Sequence, residues 1–171
     1  NGPAFTNTTV TSTTHYVSYS YTVTTSDPNR DNVTVTATII PSWLSFNTTT
    51  NVLSGTPTSS DVGSHNVVLT ASDGLLSTTQ TFTIVVNGPA FTSTAITSAT
   101  QDVAYGYTVT TTHSNGESVT VTATTIPSWL SFNGTTLTGT PTSSDVGSNN
   151  VVLTASDGSI STTQSFTIEV I

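Results

Sequence analysis

Residues 87–92 read Asn87-Gly88-Pro89-Ala90-Phe91-Thr92, repeating letter for letter the opening of the chain, Asn1-Gly2-Pro3-Ala4-Phe5-Thr6. The same offset of 86 carries Tyr19-Ser20-Tyr21-Thr22-Val23 onto Tyr105-Gly106-Tyr107-Thr108-Val109, and Pro41-Ser42-Trp43-Leu44-Ser45-Phe46 onto Pro127-Ser128-Trp129-Leu130-Ser131-Phe132. The offset then falls to 84, so that Gly55-Thr56-Pro57 meets Gly139-Thr140-Pro141 and Ala71-Ser72-Asp73-Gly74 meets Ala155-Ser156-Asp157-Gly158. Changes of length collect in turns, which places a hairpin after Asn47 and Asn133. The chain is therefore two tandem copies of one domain, 1–86 and 87–171, with almost no linker between them.

Inside each copy apolar and polar residues alternate, as in Tyr19, Tyr21, Val23 and again in Val33, Val35, Ala37, Ile39. That is the period of a half-buried strand, and helical spacing is absent. Turn formers at Asp27-Pro28-Asn29, 47–51, Thr56-Pro57, 61–63 and Asp73-Gly74 cut each copy into about seven strands. In the first copy these fall near 4–14, 16–25, 32–39, 43–46, 52–56, 65–72 and 77–86. Seven short strands in a domain of this size predict an all-β sandwich.

Composition narrows the function. Only 6% of residues are charged, nine acidic against one basic (Arg30), for a net charge of -8, where a quarter is typical. Solubility must come from 43 Thr and 25 Ser, and Thr is β-branched, so it favours extended chain while facing water. One cation cannot neutralise a phosphate backbone, which sets nucleic acid aside. With no Cys there are no disulfides, thiolate metal sites or thiol nucleophiles. No stretch has the apolar length of a membrane span.

The motifs Tyr-x-Tyr-Thr-Val, Pro-Ser-Trp-Leu-Ser-Phe, Gly-Thr-Pro-Thr-Ser-Ser-Asp-Val-Gly and Ala-Ser-Asp-Gly, in this order in both copies, resemble the dystroglycan-type cadherin-like and putative Ig domains of microbial surface proteins. The resemblance covers both copies end to end. It implies two tandem Ig-like or cadherin-like β-sandwiches, an extracellular location, frequent calcium binding and occasional carbohydrate binding. The chain departs from the family at one corner, where His65 and Asn149 stand in place of the expected Tyr.

If successive strands alternate direction, the loops carrying Asp27, Asn29, Asp31 and Asp73 meet at one end of the first sandwich, near Asn1. Oxygen ligands spaced one residue apart, with another carboxylate from a neighbouring loop, suit calcium, and the resemblance implies the same role for Asp27, Asp31 and Asp73. The competing reading makes them ordinary turn residues bonding their own backbone. In the second copy the matching residues are His113, Asn115, Glu117 and Asp157. Calcium disfavours an imidazole, so there the site is expected to be degraded or empty. Asp61 and Asp145 read as turn formers at the opposite end.

The histidines His15, His65 and His113 are equivalent to Gln101, Asn149 and Asp27, so none repeats, and they read as surface or corner residues without a nucleophile to activate. Trp43 and Trp129 read as core fillers rather than sugar platforms. The sequons at Asn7, Asn32, Asn47 and Asn133 are no more than the Asn and Ser/Thr content gives by chance. The Thr-rich rows read as solvated sheet faces able to carry O-linked sugar.

Together these readings predict a non-catalytic structural or adhesive module of an extracellular microbial protein or fibre. The alternative is a calcium-dependent carbohydrate-binding module. The chain opens without an initiator Met or charged leader, and Ile171 aligns with Asn87. It is therefore expected to be a processed or excised piece of a longer array, self-associating or joined to neighbouring repeats, with Pro3 and Pro89 stiffening the joints.

Overall fold

The computed structural model describes all 171 residues. The chain divides into two units, Asn1–Asn87 and Gly88–Ile171. Both are all-β, and the only helical turns are of 3-10 type at Ser59–Asp61 and Ser143–Asp145. No helix is long and apolar enough to cross a membrane.

The first unit runs β1 (Ala4–Phe5), β2 (Ser12–Thr14), β3 (Tyr19–Thr22), β4 (Thr25–Ser26), β5 (Thr34–Ile39), β6 (Ser45–Asn47), β7 (Val52–Gly55), β8 (Gly63–Ser72) and β9 (Ser77–Asn87). A four-stranded sheet has the order β2-β9-β8-β5 and a three-stranded sheet the order β3-β7-β6. Their inner faces meet in one core: Tyr19, Tyr21 and Leu53 from the smaller sheet, and Val35, Val67, Leu69, Ala71 and Ile84 from the larger. The alternation read from sequence is visible directly, since Tyr19 and Tyr21 are buried while Ser20 and Thr22 between and after them are exposed. Ring edges lock the layers together, with Tyr21 edge-on to Phe82 at 5.7 Å.

The second unit repeats the plan with β10 (Ala90–Phe91), β11 (Ser98–Ala99), β12 (Tyr105–Thr108), β13 (Thr111–Thr112), β14 (Thr120–Thr125), β15 (Leu130–Phe132), β16 (Thr136–Gly139), β17 (Gly147–Ser156) and β18 (Ser161–Val170). Its sheets are β11-β18-β17-β14 and β12-β16-β15. The length difference between the copies lies in the turn before β7 and β16, as expected. Asn47 Oδ1 accepts the Thr49 and Thr50 amides at 2.9 and 3.1 Å, and Asn133 Oδ1 accepts those of Thr135 and Thr136 at 2.9 and 2.7 Å.

The first two strands differ from the sequence reading. Each is broken in two: β1 pairs antiparallel with β4, whereas β2 leaves that partner and lies parallel to β9. A period of two identifies a strand but not the sheet it joins, and this segment changes sheets between Phe5 and Ser12. The break after β3 is similar in kind: Val23 still bonds to the Asn51 carbonyl at 2.8 Å, in register with β7, and the chain then crosses to pair as β4 with β1.

Two histidines also differ from the surface role expected. His15 and His113 are buried, at 0% and 7% exposure. His65 does sit at the corner, where its Nε2 meets the Asp61 carbonyl at 2.5 Å. Asn149 makes the equivalent bond to the Asp145 carbonyl at 2.9 Å. Both side chains thereby supply a corner bond in place of the family's Tyr. Trp43 and Trp129 are half-buried and pack against their cores, edge-on to Tyr19 at 5.9 Å and to Tyr105 at 5.8 Å. Asp61 and Asp145 form turns: Asp61 Oδ2 accepts the Thr58 amide at 2.7 Å and Asp145 Oδ2 the Thr142 amide at 2.8 Å. The Thr rows are solvated, with Thr38 and Thr70 bonded hydroxyl to hydroxyl across strands at 2.7 Å.

Candidate metal centre

In the first unit the connection from β4 to β5 carries Asp27, Asn29 and Asp31, and the β8–β9 hairpin carries Asp73. Asp27 Oδ1 accepts the amides of Asn29 at 2.8 Å and Asp31 at 3.3 Å, while the Arg30 amide reaches the Asp27 carbonyl at 3.1 Å. This turn bends back on itself because Arg30 takes a left-handed conformation, with φ of 62°. Across from it, Gly74 at φ 95° closes the hairpin and Asp73 Oδ1 accepts the Leu75 and Leu76 amides at 2.8 and 2.7 Å. The Leu76 amide first, and the Leu75 amide after it, hold the Asp73 carboxyl below its ordinary value.

Carboxylate oxygens of Asp27, Asp31 and Asp73 all lie within 4.8 Å of one another. Asn29 joins this group through its backbone amide. Asp27 Oδ2 is buried and makes no hydrogen bond, although a buried carboxylate oxygen is costly to leave without a partner. No ion pair joins Arg30, the only Lys or Arg in the chain, to the three acids. The N-terminal segment passes close by, since a Cβ on Gly2 would stand 3.0 Å from the Leu76 Cβ.

The second unit places His113, Glu117 and Asp157 at the same positions of the same loops. His113 Nε2 is 3.0 Å from Asp157 Oδ2 and 3.6 Å from Glu117 Oε2, and the side chains of His113 and Asp157 are fully buried. Asp157 Oδ1 is held by the Ser159 and Ile160 amides at 2.8 and 2.9 Å, which turns Oδ2 toward the ring. Glu117 is anchored through its own amide, which donates to Asn115 Oδ1 at 3.0 Å. Sequence comparison matched these positions one by one. It could not show that an imidazole nitrogen and two carboxylates point at one another, because their side-chain directions depend on turns whose geometry no residue type specifies alone.

The comparisons with known proteins agree with the fold. The model of the family described as "Putative Ig domain" matches residues 2–87 and again 88–171. The "Serine-rich adhesin for platelets" of Staphylococcus aureus (strain MRSA252) is 37% identical over 155 residues, covering 86% of this chain and 11% of that protein. The protein of the same name from strain USA300 is 38% identical over 147 residues, covering 82% of this chain and 6% of that one. This chain thus spans a small part of those relatives. Among solved structures, human protocadherin-24 EC1-2 is similar with a TM-score of 0.45 and 17% identity, over 100% of this chain and 98% of that one. An endo-fucoidan hydrolase of glycoside hydrolase family 107 has a TM-score of 0.44 and 30% identity, over 99% of this chain and 28% of that one. Matched by the family model in both its units, the chain belongs to the Putative Ig domain family, of which it holds two consecutive copies.

Proposed function

We propose that the chain is a non-catalytic structural and adhesive segment of an extracellular microbial surface protein, and that the first unit is stabilised by calcium. The observation that carries the first part is the 37% identity to a staphylococcal adhesin across both units. Connectivity supports a spacer or filament role, since only Gly88 and Pro89 separate β9 from β10. The partners that fit are neighbouring repeats or copies of this chain, together with the ligand that the parent protein adheres to.

Calcium is supported by the three converging carboxylates and by Asp27 Oδ2, whose missing partner a hard cation would supply. Asp27, Asp31 and Asp73 would hold it, with Asn29 in the same turn. Its contribution is to neutralise like charges that otherwise repel across a few ångströms.

A carbohydrate-binding role is less well supported. Both indoles are committed to the cores, and the exposed aromatic, Tyr16, has its hydroxyl 3.4 Å from Ser59 Oγ. Coating beads with the chain and presenting them to platelets and to a glycan array tests the adhesive reading. Capture of platelets supports adhesion. Capture by glycans alone, dependent on calcium, would replace it with the carbohydrate reading. A bead that binds neither but gathers free copies of the chain supports the spacer and filament role.

A further inference from the structure

We infer that the second unit binds a transition metal ion of the zinc type through His113 Nε2, Asp157 Oδ2 and Glu117 Oε2, at the place where the first unit carries three carboxylates. The donor set points to this ion class. Calcium takes six to eight oxygens and has little use for an imidazole, whereas zinc accepts nitrogen and carboxylate oxygen together in a tetrahedral shell. Ligand atoms about 2.0–2.1 Å from a tetrahedral zinc stand about 3.3 Å apart. The two distances from His113 Nε2, 3.0 and 3.6 Å, straddle that value.

Charge makes a second, separate argument. Two carboxylates face one ring, and Nε2 of a neutral imidazole carries at most one proton. Asp157, at 3.0 Å, is the acid placed to accept it, which leaves Glu117 at 3.6 Å facing a second negative charge. With the His113 and Asp157 side chains out of contact with water, solvent does not screen the pair, and a dication at Nε2 neutralises both acids at once. Glu117 keeps its side chain 46% exposed, so the ion has a route in. With Nε2 on the metal the ring proton moves to Nδ1, which gives up an Asn115 amide contact of 3.5 Å, and the 3.0 Å bond between Nε2 and Asp157 is exchanged for coordination of both atoms to the ion. The sequence change from Asp27 to His113 thus exchanges one class of ion for another. It stands independently of calcium in the first unit.

Cobalt(II) titrated into the full chain, followed by visible absorption and then displaced with zinc, tests the inference. One equivalent should bind with the strong visible bands of a four-coordinate site, and zinc should erase them. In His113→Gln, Asp157→Asn and Glu117→Gln the bands should disappear and zinc affinity should fall at least tenfold. His65→Gln and the pair Asp31→Ala with Asp73→Ala should retain both. His113→Asp, which removes the nitrogen ligand and leaves three carboxylates, should lose the cobalt bands. Circular dichroism shows which variants fold, and Glu117→Gln, altered at a half-exposed side chain, carries the test if the buried pair does not tolerate change. Absence of the bands in the wild-type chain, or bands and affinity that survive all three ligand variants, would overturn the inference.

Discussion

A Cβ atom placed on Gly55 would stand 2.0 Å from the carbonyl oxygen of Trp43, and Gly139 bears the same relation, at the same distance, to Trp129. The backbone of β7 therefore lies directly on the segment that delivers the indole to the core. Only a residue without a side chain allows that approach. This gives the Gly-Thr-Pro motif its physical meaning: the glycine makes room for the tryptophan.

Gly55→Ala and Gly139→Ala should each cost on the order of 3 kcal/mol or prevent folding of the unit, because the clash is with backbone rather than a flexible side chain. Gly106→Ala is the control, since nothing lies within 4 Å of its Cβ direction. Urea unfolding followed by tryptophan fluorescence measures the three. Equal stability for Gly55→Ala and Gly106→Ala would show that the strands can separate without penalty.

The two indoles differ in a way that can be tested. Trp129 Nε1 donates to Asn149 Oδ1 at 3.1 Å, whereas Trp43 Nε1 is buried without a partner opposite His65. His65→Asn should give Trp43 the same acceptor and raise stability by about 1 kcal/mol. Asn149→His should do the reverse in the second unit. Thermal unfolding of both variants decides the matter, and a destabilised His65→Asn would mean that the imidazole packing outweighs the hydrogen bond.

Calcium should raise the melting temperature of the wild-type chain by several degrees at saturation. Asp31→Ala with Asp73→Ala should abolish that rise, and Asp157→Ala should leave it unchanged. Identical melting curves in EDTA and in excess calcium would remove the first-unit site from the account.

Burial lifts the Tyr19 hydroxyl far above its ordinary value and pushes Tyr105 up to about 12. Their hydroxyls donate to the Val10 and Ile96 carbonyls at 2.6 and 2.7 Å. A group whose folded pKa is raised contributes stability that is complete below the unfolded value, near 10, and lost as pH climbs toward the folded one. Stability should therefore fall between pH 10 and about 12. In a phenolate absorbance titration, these two rings should ionise together with unfolding. Early ionisation of all five tyrosines with the fold intact would contradict this.

Much of this architecture was legible in the residues. Period-two alternation marked Tyr19 to Val23 and Val33 to Ile39, the Asn and Asp turns were recognisable because such side chains bond their own backbone, and the repeat aligned Asp27, Asp31 and Asp73 with their counterparts. What remained hidden depends on distance rather than pattern. The sheet change between β1 and β2 follows from a strand's choice of neighbour, and composition is nearly the same on either side of it. The meeting of His113 with Asp157 rests on two loops 44 residues apart. The solitary Nε1 of Trp43 is the outcome of a single exchange, Asn149 to His65, whose cost lies in an absent bond.

In each unit the first strand of the larger sheet runs parallel to the last, Ser12 to Thr14 against Val85 to Asn87 and Ser98 to Ala99 against Glu169 to Val170. Tension drawn through the chain therefore pulls these two strands in opposite directions along their shared axis. Their ladder bonds are loaded in shear, all at once, instead of being peeled one after another as they would be in a terminal hairpin. A chain held at one end and pulled at the other experiences such a tug, and the parallel clasp closing each sandwich is oriented to resist it.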